Sequence, residues 1–335
     1  MDPAPSTVPA AAPWWLPWPT GQTIWARMVR SRRLVRFARE ILPTPDGDEL
    51  MLDHIDGPPG APRVLLLHGL EGSAYSLHTQ GLAVLVAAAG WSCTVLNFRS
   101  CARDPLDISR RLSNRRPRLY HSGDTADVDL VVRALTARAP SAPLYAVGFS
   151  LGGNVLIKYL GENGAGSAIR RAATLSVPYD LAAASRFLER PSARLYTHHF
   201  LRRLKPKALD VMGRFPYETA HLRADQVRAA RSFAEFDRCV TAPLHGFASA
   251  EDYYERASAI RYLPLVATPT LCISAEDDPF FPPDGVARAR QAASSSVTFQ
   301  VTSWGGHTGF VGGPWPWRPH YWAEEMAVAW LALSA

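Results

Sequence analysis

From Arg63 onward, short apolar runs alternate with longer segments whose apolar residues recur every three or four positions. The runs at 63–67, 92–98, 143–148 and 170–176 are short and bounded by helical patterns, those at 63–67 and 143–148 being almost wholly apolar, which predicts strands of a buried sheet. The stretches at about 79–89, 124–137 and 152–161 predict helices. Strand and helix in strict alternation predict a mostly parallel, doubly wound sheet. Upstream, Ile41 to Ile55 carries Pro45-Asp46-Gly47-Asp48 at its centre and predicts a β-hairpin, because Asp-Gly between strand-like runs is a strong turn signal. The alternation stops between about 181 and 263, where Arg/Leu/Phe-rich helical segments take over. It resumes with strands at 269–274 and 297–302 and a closing helix from about 320 to 334. The expected organisation is an arm and short basic helix over 1–40, the helix at Gln22 to Arg33, then one domain over 41–335 with a cap inserted at about 181–263.

The apolar run Pro143-Leu144-Tyr145-Ala146-Val147 gives way to Gly148-Phe149-Ser150-Leu151-Gly152-Gly153, and a helical pattern follows at once. A Gly-x-Ser-x-Gly between a buried strand and a helix reads as a nucleophile elbow. The turn is so tight that the serine's neighbours must lack side chains, and its Oγ is pushed into the open. The following helix offers its N-terminal amides to an oxyanion.

A serine is a weak nucleophile until a base takes its proton, and the base needs a carboxylate to fix its tautomer. Both follow in the chain order Ser, acid, His. The strand Pro269-Thr270-Leu271-Cys272-Ile273-Ser274-Ala275 ends in Glu276-Asp277-Asp278-Pro279, and a second strand at 297–301 runs into Gly305-Gly306-His307-Thr308-Gly309. Hydrolases with a Pro-Thr-Leu strand place the acid nine residues after the proline, with another proline four beyond it. Asp278 and Pro282 fit that register, leaving Asp277 as a surface or turn-capping residue. The glycines around His307 are expected to give its ring room to swing over Ser150. After the strand 63–67, His68-Gly69-Leu70-Glu71-Gly72-Ser73 supplies one oxyanion amide, at Leu70; Leu151, next to the nucleophile, supplies the other.

Further stretches sharpen the picture: Asn97-Phe98-Arg99-Ser100-Cys101, Tyr120-His121-Ser122-Gly123-Asp124, Thr241-Ala242-Pro243-Leu244-His245-Gly246-Phe247 and Asp252-Tyr253-Tyr254. With the elbow, the His-Gly loop and Gly305-Gly306-His307-Thr308-Gly309-Phe310, the sequence resembles the bacterial YheT-like branch of the α/β-hydrolases, related to the eukaryotic ABHD1/ABHD3 group. The resemblance covers nearly the whole chain. It implies the α/β-hydrolase fold and a serine carboxylester hydrolase that needs no cofactor. One departure is Ser100, where the resemblance leads one to expect glycine; the loop is expected near the site entrance, so the change would touch substrate shape.

Composition excludes several other classes. With 47% apolar residues in 335, the chain can bury a sizeable core. The net charge of +6 is carried by arginine except at Lys158, Lys205 and Lys207, with no basic tail and no nucleic-acid module, so no nucleic-acid partner is expected. Cys93, Cys101, Cys239 and Cys272 lack C-x-x-C spacing, which argues against zinc or a disulfide framework; Cys93 and Cys272 read as small core residues. No metal site is expected. Met1 to Pro19 lacks the basic and continuous apolar regions of a signal peptide, and the longest apolar stretch, Leu82 to Trp91, is too short to span a bilayer. A reducing cytoplasm is the expected location, with at most peripheral membrane contact.

Three features take bland readings: His198-His199 as an exposed pair in the cap, Ser122 and Asp124 as helix-capping residues, and Trp14, Trp15 and Trp18 as anchors of the arm. In the cap, Tyr196, Phe200 and Leu204 fall four apart on one helical face, with Arg202, Arg203, Lys205 and Lys207 as charge around it. That face is expected to cover the site and accept an acyl chain. The expected substrates are small-molecule esters with short to medium acyl groups, including glycerides. Acyl transfer to an alcohol would use the same residues, and a silent hydrolase-fold binding protein is disfavoured by the intact Ser, acid and His. Nothing in the sequence bears on oligomeric state.

Overall fold

The computed structural model describes residues 11–30 and 35–333. The first ten residues of the arm, residues 31–33 of the expected basic helix and residue 334 of the closing helix lie outside the described residues. An eight-stranded sheet forms the body, in the order β1-β2-β4-β3-β5-β6-β7-β8. Its strands are β1 (Ala38–Pro43), β2 (Glu49–Ile55), β3 (Arg63–Leu67), β4 (Ser92–Asn97), β5 (Leu144–Phe149), β6 (Ile169–Leu175), β7 (Thr270–Ala275) and β8 (Val297–Thr302). β2 pairs antiparallel with β1 and β4, and every other pairing is parallel. β1 and β2 are the hairpin expected around Asp46-Gly47, and Gly47 takes the positive φ of 75° that such a turn demands.

The helices of the body are α2 (Leu77–Ala88), α3 (Ala126–Arg138), α4 (Leu151–Asn163), α11 (Gly285–Ala292) and α12 (Trp322–Ala332). They sandwich the sheet between two apolar layers. α3 and α4 cover one face with Val128, Val131, Val155 and Leu156; α2 and α12 cover the other with Leu82, Val86, Trp322 and Ala327. β3 and β4 carry apolar residues toward both layers, which is why Val64 to Leu67 reads as an unbroken apolar run rather than an alternating one. α11 escaped the sequence reading because it buries one residue, Ala289, and so has no apolar stripe. The two-residue strands β9 (Val311–Gly312) and β10 (His320–Tyr321), an antiparallel pair, carry no sequence signal either.

Between β6 and β7 every element is helical. The cap contains α5 (Leu181–Leu188), α6 (Arg194–Arg214), α7 (Ala224–Ala229), α8 (Phe233–Phe236), α9 (Ala242–Leu244) and α10 (Ala250–Ala257). The N-terminal helix α1 spans Pro19–Val29, starting three residues before the expected Gln22. Proline is favoured in the first helical turn, where its missing N–H costs nothing. Trp15 anchors the arm as expected, half-buried and donating its indole N–H to Gly313 O; Trp14 donates to Pro314 O but, like Trp18, stays largely exposed. No helix among the described residues is long and apolar enough to cross a membrane.

Two expectations change. Ser122 and Asp124 do not cap α3, whose first turn receives no side-chain cap. Asp124 is instead buried against Arg118 Nη2 at 2.8 Å, and burial, with Asp127 nearby, pushes its pKa up to about 7. Ser100 does not line the space around Ser150, although Arg103 farther along the same loop does. Ser100 is buried with φ of 59°, the left-handed conformation in which a glycine is most at ease, and it is tied to the side chain of Asn114. Cys93 and Cys272 are buried as expected, and all four cysteines are free thiols.

Candidate active site

Ser150 sits at the C-terminal end of β5 with φ of 50°, a strained conformation for a non-glycine residue. Space explains the glycines around it. A Cβ on Gly152 would lie 2.3 Å from Leu67 O and 2.6 Å from His68 O; one on Gly148 would lie 2.6 Å from Gly152 O. The elbow is thus wedged between β3 and the start of α4. Gly152→Ala is expected to cost about 3 kcal/mol, because the atoms its Cβ would meet are Leu67 and His68 backbone, which cannot give way. The check is thermal unfolding, and a Tm equal to wild type would contradict this packing.

The structure brings together the three residues expected from sequence. His307 Nε2 lies 2.9 Å from Ser150 Oγ, and His307 Nδ1 lies 2.9 Å from Asp278 Oδ2. An ionised carboxylate only accepts, so the Nδ1–H points at Asp278 and Nε2 faces the serine hydroxyl. Asp278 and His307 are each buried to 8% exposure, and Asp278 Oδ1 accepts the Phe280 N–H at 2.9 Å. Phe280 stacks on the imidazole with ring centroids 4.0 Å apart, and Phe281 meets its edge. The ring is clamped rather than free to swing.

The flanking glycines serve a purpose other than the expected one. A Cβ on Gly306 would meet Pro19 O at 2.4 Å, and one on Gly309 would meet Gln22 O at 2.3 Å. They let α1 lie directly on the histidine loop. Thr23 Oγ1 accepts the His307 N–H at 2.9 Å, Gln22 grips Val311 at both its N–H and C=O, and Ser176 Oγ accepts the Thr308 N–H. Asp277 joins this scaffold by accepting the Gly306 N–H at 2.8 Å; it is half-buried, and burial raises its pKa. Thr23, Gln22 and Ser176 were not legible in the sequence, since their partners lie over 130 positions away.

The amide N–H groups of Leu70 and Leu151 have no hydrogen-bond partner among the described residues, and both residues border the cavity at Ser150. The loop that carries Leu70 is firmly held. His68 donates from Nδ1 to Gly69 O and accepts the Phe98 N–H at Nε2, and burial pushes its pKa down to about 4, so it stays neutral. Glu71, at φ of 55°, donates its N–H to Tyr120 Oη and pairs with Lys207, which reaches down from α6. The Lys207 side chain is only 2% exposed, so it is no part of the solvated rim expected for it. It ties the cap to this loop, whereas Arg202 is exposed as anticipated. His198 is exposed too, but His199 is half-buried and bonded to Arg27.

Two chambers meet at Ser150. An apolar cavity of about 130 Å³ runs under the cap and is walled by Leu181, Leu188, Phe200, Leu204, Phe236 and Val240 among others. A larger groove of about 580 Å³ lies on the other side, between α1, the Leu70 loop and α6. Of the three cap residues expected over the site, Leu204 lines the cavity, Phe200 lines both chambers, and Tyr196 lines the groove with its ring tilted against Phe280. Among the described residues no group of three or more His, Cys, Asp or Glu could hold a metal ion.

Comparison with known proteins agrees with this architecture. Residues 62–314 match the profile of the alpha/beta hydrolase fold family. The chain is 36% identical over 315 residues to YheT of Escherichia coli (strain K12), which carries a provisional esterase name, covering 92% of this chain and 89% of that one. It is 33% identical over 304 residues to the phospholipase ABHD3 of Mus musculus, covering 88% of this chain and 72% of that one. Among solved structures, the Pyrococcus furiosus esterase Pf2001 superposes with a TM-score of 0.54 at 16% identity, over 82% of this chain and 85% of that one; that likeness concerns the fold.

Proposed function

The chain belongs to the alpha/beta hydrolase fold family and is an ester hydrolase of its serine type, and from that premise we propose that Ser150, His307 and Asp278 form the catalytic triad. The observation that carries this reading is the unbroken relay of 2.9 Å contacts from Ser150 Oγ through His307 to Asp278. Ser150 Oγ attacks the ester carbonyl while His307 Nε2 takes its proton. The negative charge then on the carbonyl oxygen is held by the N–H groups of Leu70 and Leu151, which have no competing partner to give up. The tetrahedral species collapses as His307 returns the proton to the leaving alcohol, giving an acyl-enzyme. Water, deprotonated by the same ring, releases the acid. Asp278 holds the tautomer and stabilises the imidazolium.

The apolar cavity under the cap supports short- to medium-chain acyl groups as substrates, the acyl chain lying along it. Each methylene buried there contributes about 0.8 kcal/mol, or ~fourfold in kcat/KM. Catalytic efficiency on p-nitrophenyl esters is therefore expected to climb from the two-carbon acyl group to several carbons. Phe200→Ala, which removes a wall shared by both chambers, should flatten the climb. A preference for acetyl esters that Phe200→Ala leaves untouched would show that this wall does not read the acyl chain.

A further inference from the structure

We propose that Tyr120 and Lys207 are positioning residues of the oxyanion hole, fixing the Leu70 N–H through Glu71 and so coupling the hole to the seating of the cap. The inference rests on the ester-hydrolase reading above and adds what sets the geometry of the hole.

The two oxyanion donors are built differently. Leu151 is the first residue of α4, so its N–H is carried by a regular helix. Leu70 lies in a loop, at the second position of a turn that the Gly72 N–H closes on Gly69 O at 3.0 Å. Glu71, at the third position, has φ of 55°, a conformation that glycine enters freely and glutamate does not. Rotation of the Leu70–Glu71 peptide would relieve that strain, and it would also change the Leu70 backbone next to the donor. The peptide stays where it is only if something holds it.

Tyr120, from the segment between β4 and α3, holds it. Its Oη accepts the Glu71 N–H at 2.7 Å and donates to Glu71 Oε1 at 3.1 Å. One hydroxyl thus grips both the backbone and the side chain of the strained residue. The Tyr120 ring stacks on Phe98, with centroids 5.4 Å apart and planes 6° from parallel. Burial pushes the Tyr120 pKa well above the usual phenol value, so the proton it donates stays in place.

The cap supplies the remaining hold. Lys207 of α6 reaches Glu71 Oε1, and Arg111 Nη2 meets Oε2 at 3.3 Å. Burial alone would raise the Glu71 pKa, but Lys207 and then Arg111 hold it below its ordinary value, so the group is a carboxylate. Lys207 Nζ also donates to Cys101 Sγ at 3.2 Å. A buried ammonium and carboxylate cannot part without leaving both charges uncompensated. Glu71 therefore keeps its full set of bonds only while α6 is seated, and Lys207 and Tyr120 both border the acyl cavity beneath it. A preorganised donor speeds the reaction because nothing has to reorient as charge develops. A Leu70 amide free to drift loses that advantage while the triad stays whole.

The test uses p-nitrophenyl butanoate and a pair of ketones of matched chain length. Tyr120→Phe keeps the ring and removes the hydroxyl. It should lower kcat by about thirtyfold, less than deleting a donor outright would, and change KM by less than about twofold. An alkyl trifluoromethyl ketone adds to Ser150 Oγ and places its oxyanion in the hole, so its affinity should fall by the same factor as kcat. The matching methyl ketone, bound without that charge, should bind as to wild type; lost packing alone would weaken both ketones alike. Lys207→Met strands the Glu71 carboxylate and endangers folding. Glu71→Gln/Lys207→Met removes both charges, and its Tm should stay close to wild type while kcat and the trifluoromethyl ketone affinity fall together by about tenfold. Wild-type kcat in Tyr120→Phe or in the paired variant overturns the proposal, as does a fall in kcat that spares the trifluoromethyl ketone. Full activity in Tyr120→Phe beside an inert Ser150→Ala protein sinks this inference alone and leaves the hydrolase reading intact.

Discussion

Ser150→Ala or His307→Ala is expected to lower ester hydrolysis by about ten-thousand-fold or more, with the double variant scarcely worse than either single one. The serine and histidine are useful only together, so removing either leaves what the backbone amides and the cavity supply by positioning. Neither change should unfold the protein. Alanine tolerates the φ of 50° at Ser150 no better and no worse than serine, and the elbow's shape is set by Gly148 and Gly152. His307→Ala empties the space against Phe280 and costs some packing, yet the loop keeps its bonds to Thr23, Ser176 and Asp277, all made by backbone N–H groups. Circular dichroism and Tm should therefore stay close to wild type while turnover disappears. A fluorophosphonate should label Ser150 alone. Retention of a tenth of the activity by pure Ser150→Ala protein would mean that another residue attacks the ester.

What was legible in the sequence was local. The elbow could be read because three signals adjoin: an apolar strand, the small residues within Gly148 to Gly153, and the helical run of α4. The hairpin could be read because Asp46-Gly47 encodes its own turn. Asp278 and His307 could be read because each follows a strand at short range. What escaped depends on chain segments that meet only after folding. Gly306 and Gly309 looked like freedom for a ring and are contact points for α1. Lys207 looked like one more cap charge, yet it lies buried on Glu71, 136 positions away. A buried lysine keeps its charge only where a carboxylate meets it, and no window of sequence contains both. The paired chambers were invisible for the same reason: Leu70, Phe200 and Phe280 come from three distant elements.

Asp278→Asn is expected to reduce kcat by about a thousandfold or more, while Asp277→Asn changes it by less than about tenfold. The two side chains sit one residue apart but do different work. Asp278 Oδ2 takes the Nδ1–H of His307, and asparagine in its place can present an NH₂ there, favouring the tautomer that puts hydrogen on Nε2. A protonated Nε2 cannot accept the Ser150 proton, so the relay stops although its shape is unchanged. Asp277 Oδ1 takes a backbone N–H from Gly306, and an asparagine carbonyl accepts that bond equally well. Its substitution removes a charge that burial already disfavours, which leaves the histidine loop in place. KM should stay near wild type in both variants, because neither aspartate lines the apolar cavity. A pH profile adds a second reading: in Asp278→Asn the residual activity should rise toward alkaline pH, where hydroxide replaces the lost base. If Asp277→Asn proves the more damaging change, the carboxylate that serves His307 during turnover is Asp277, and the Oδ2 contact of Asp278 is structural.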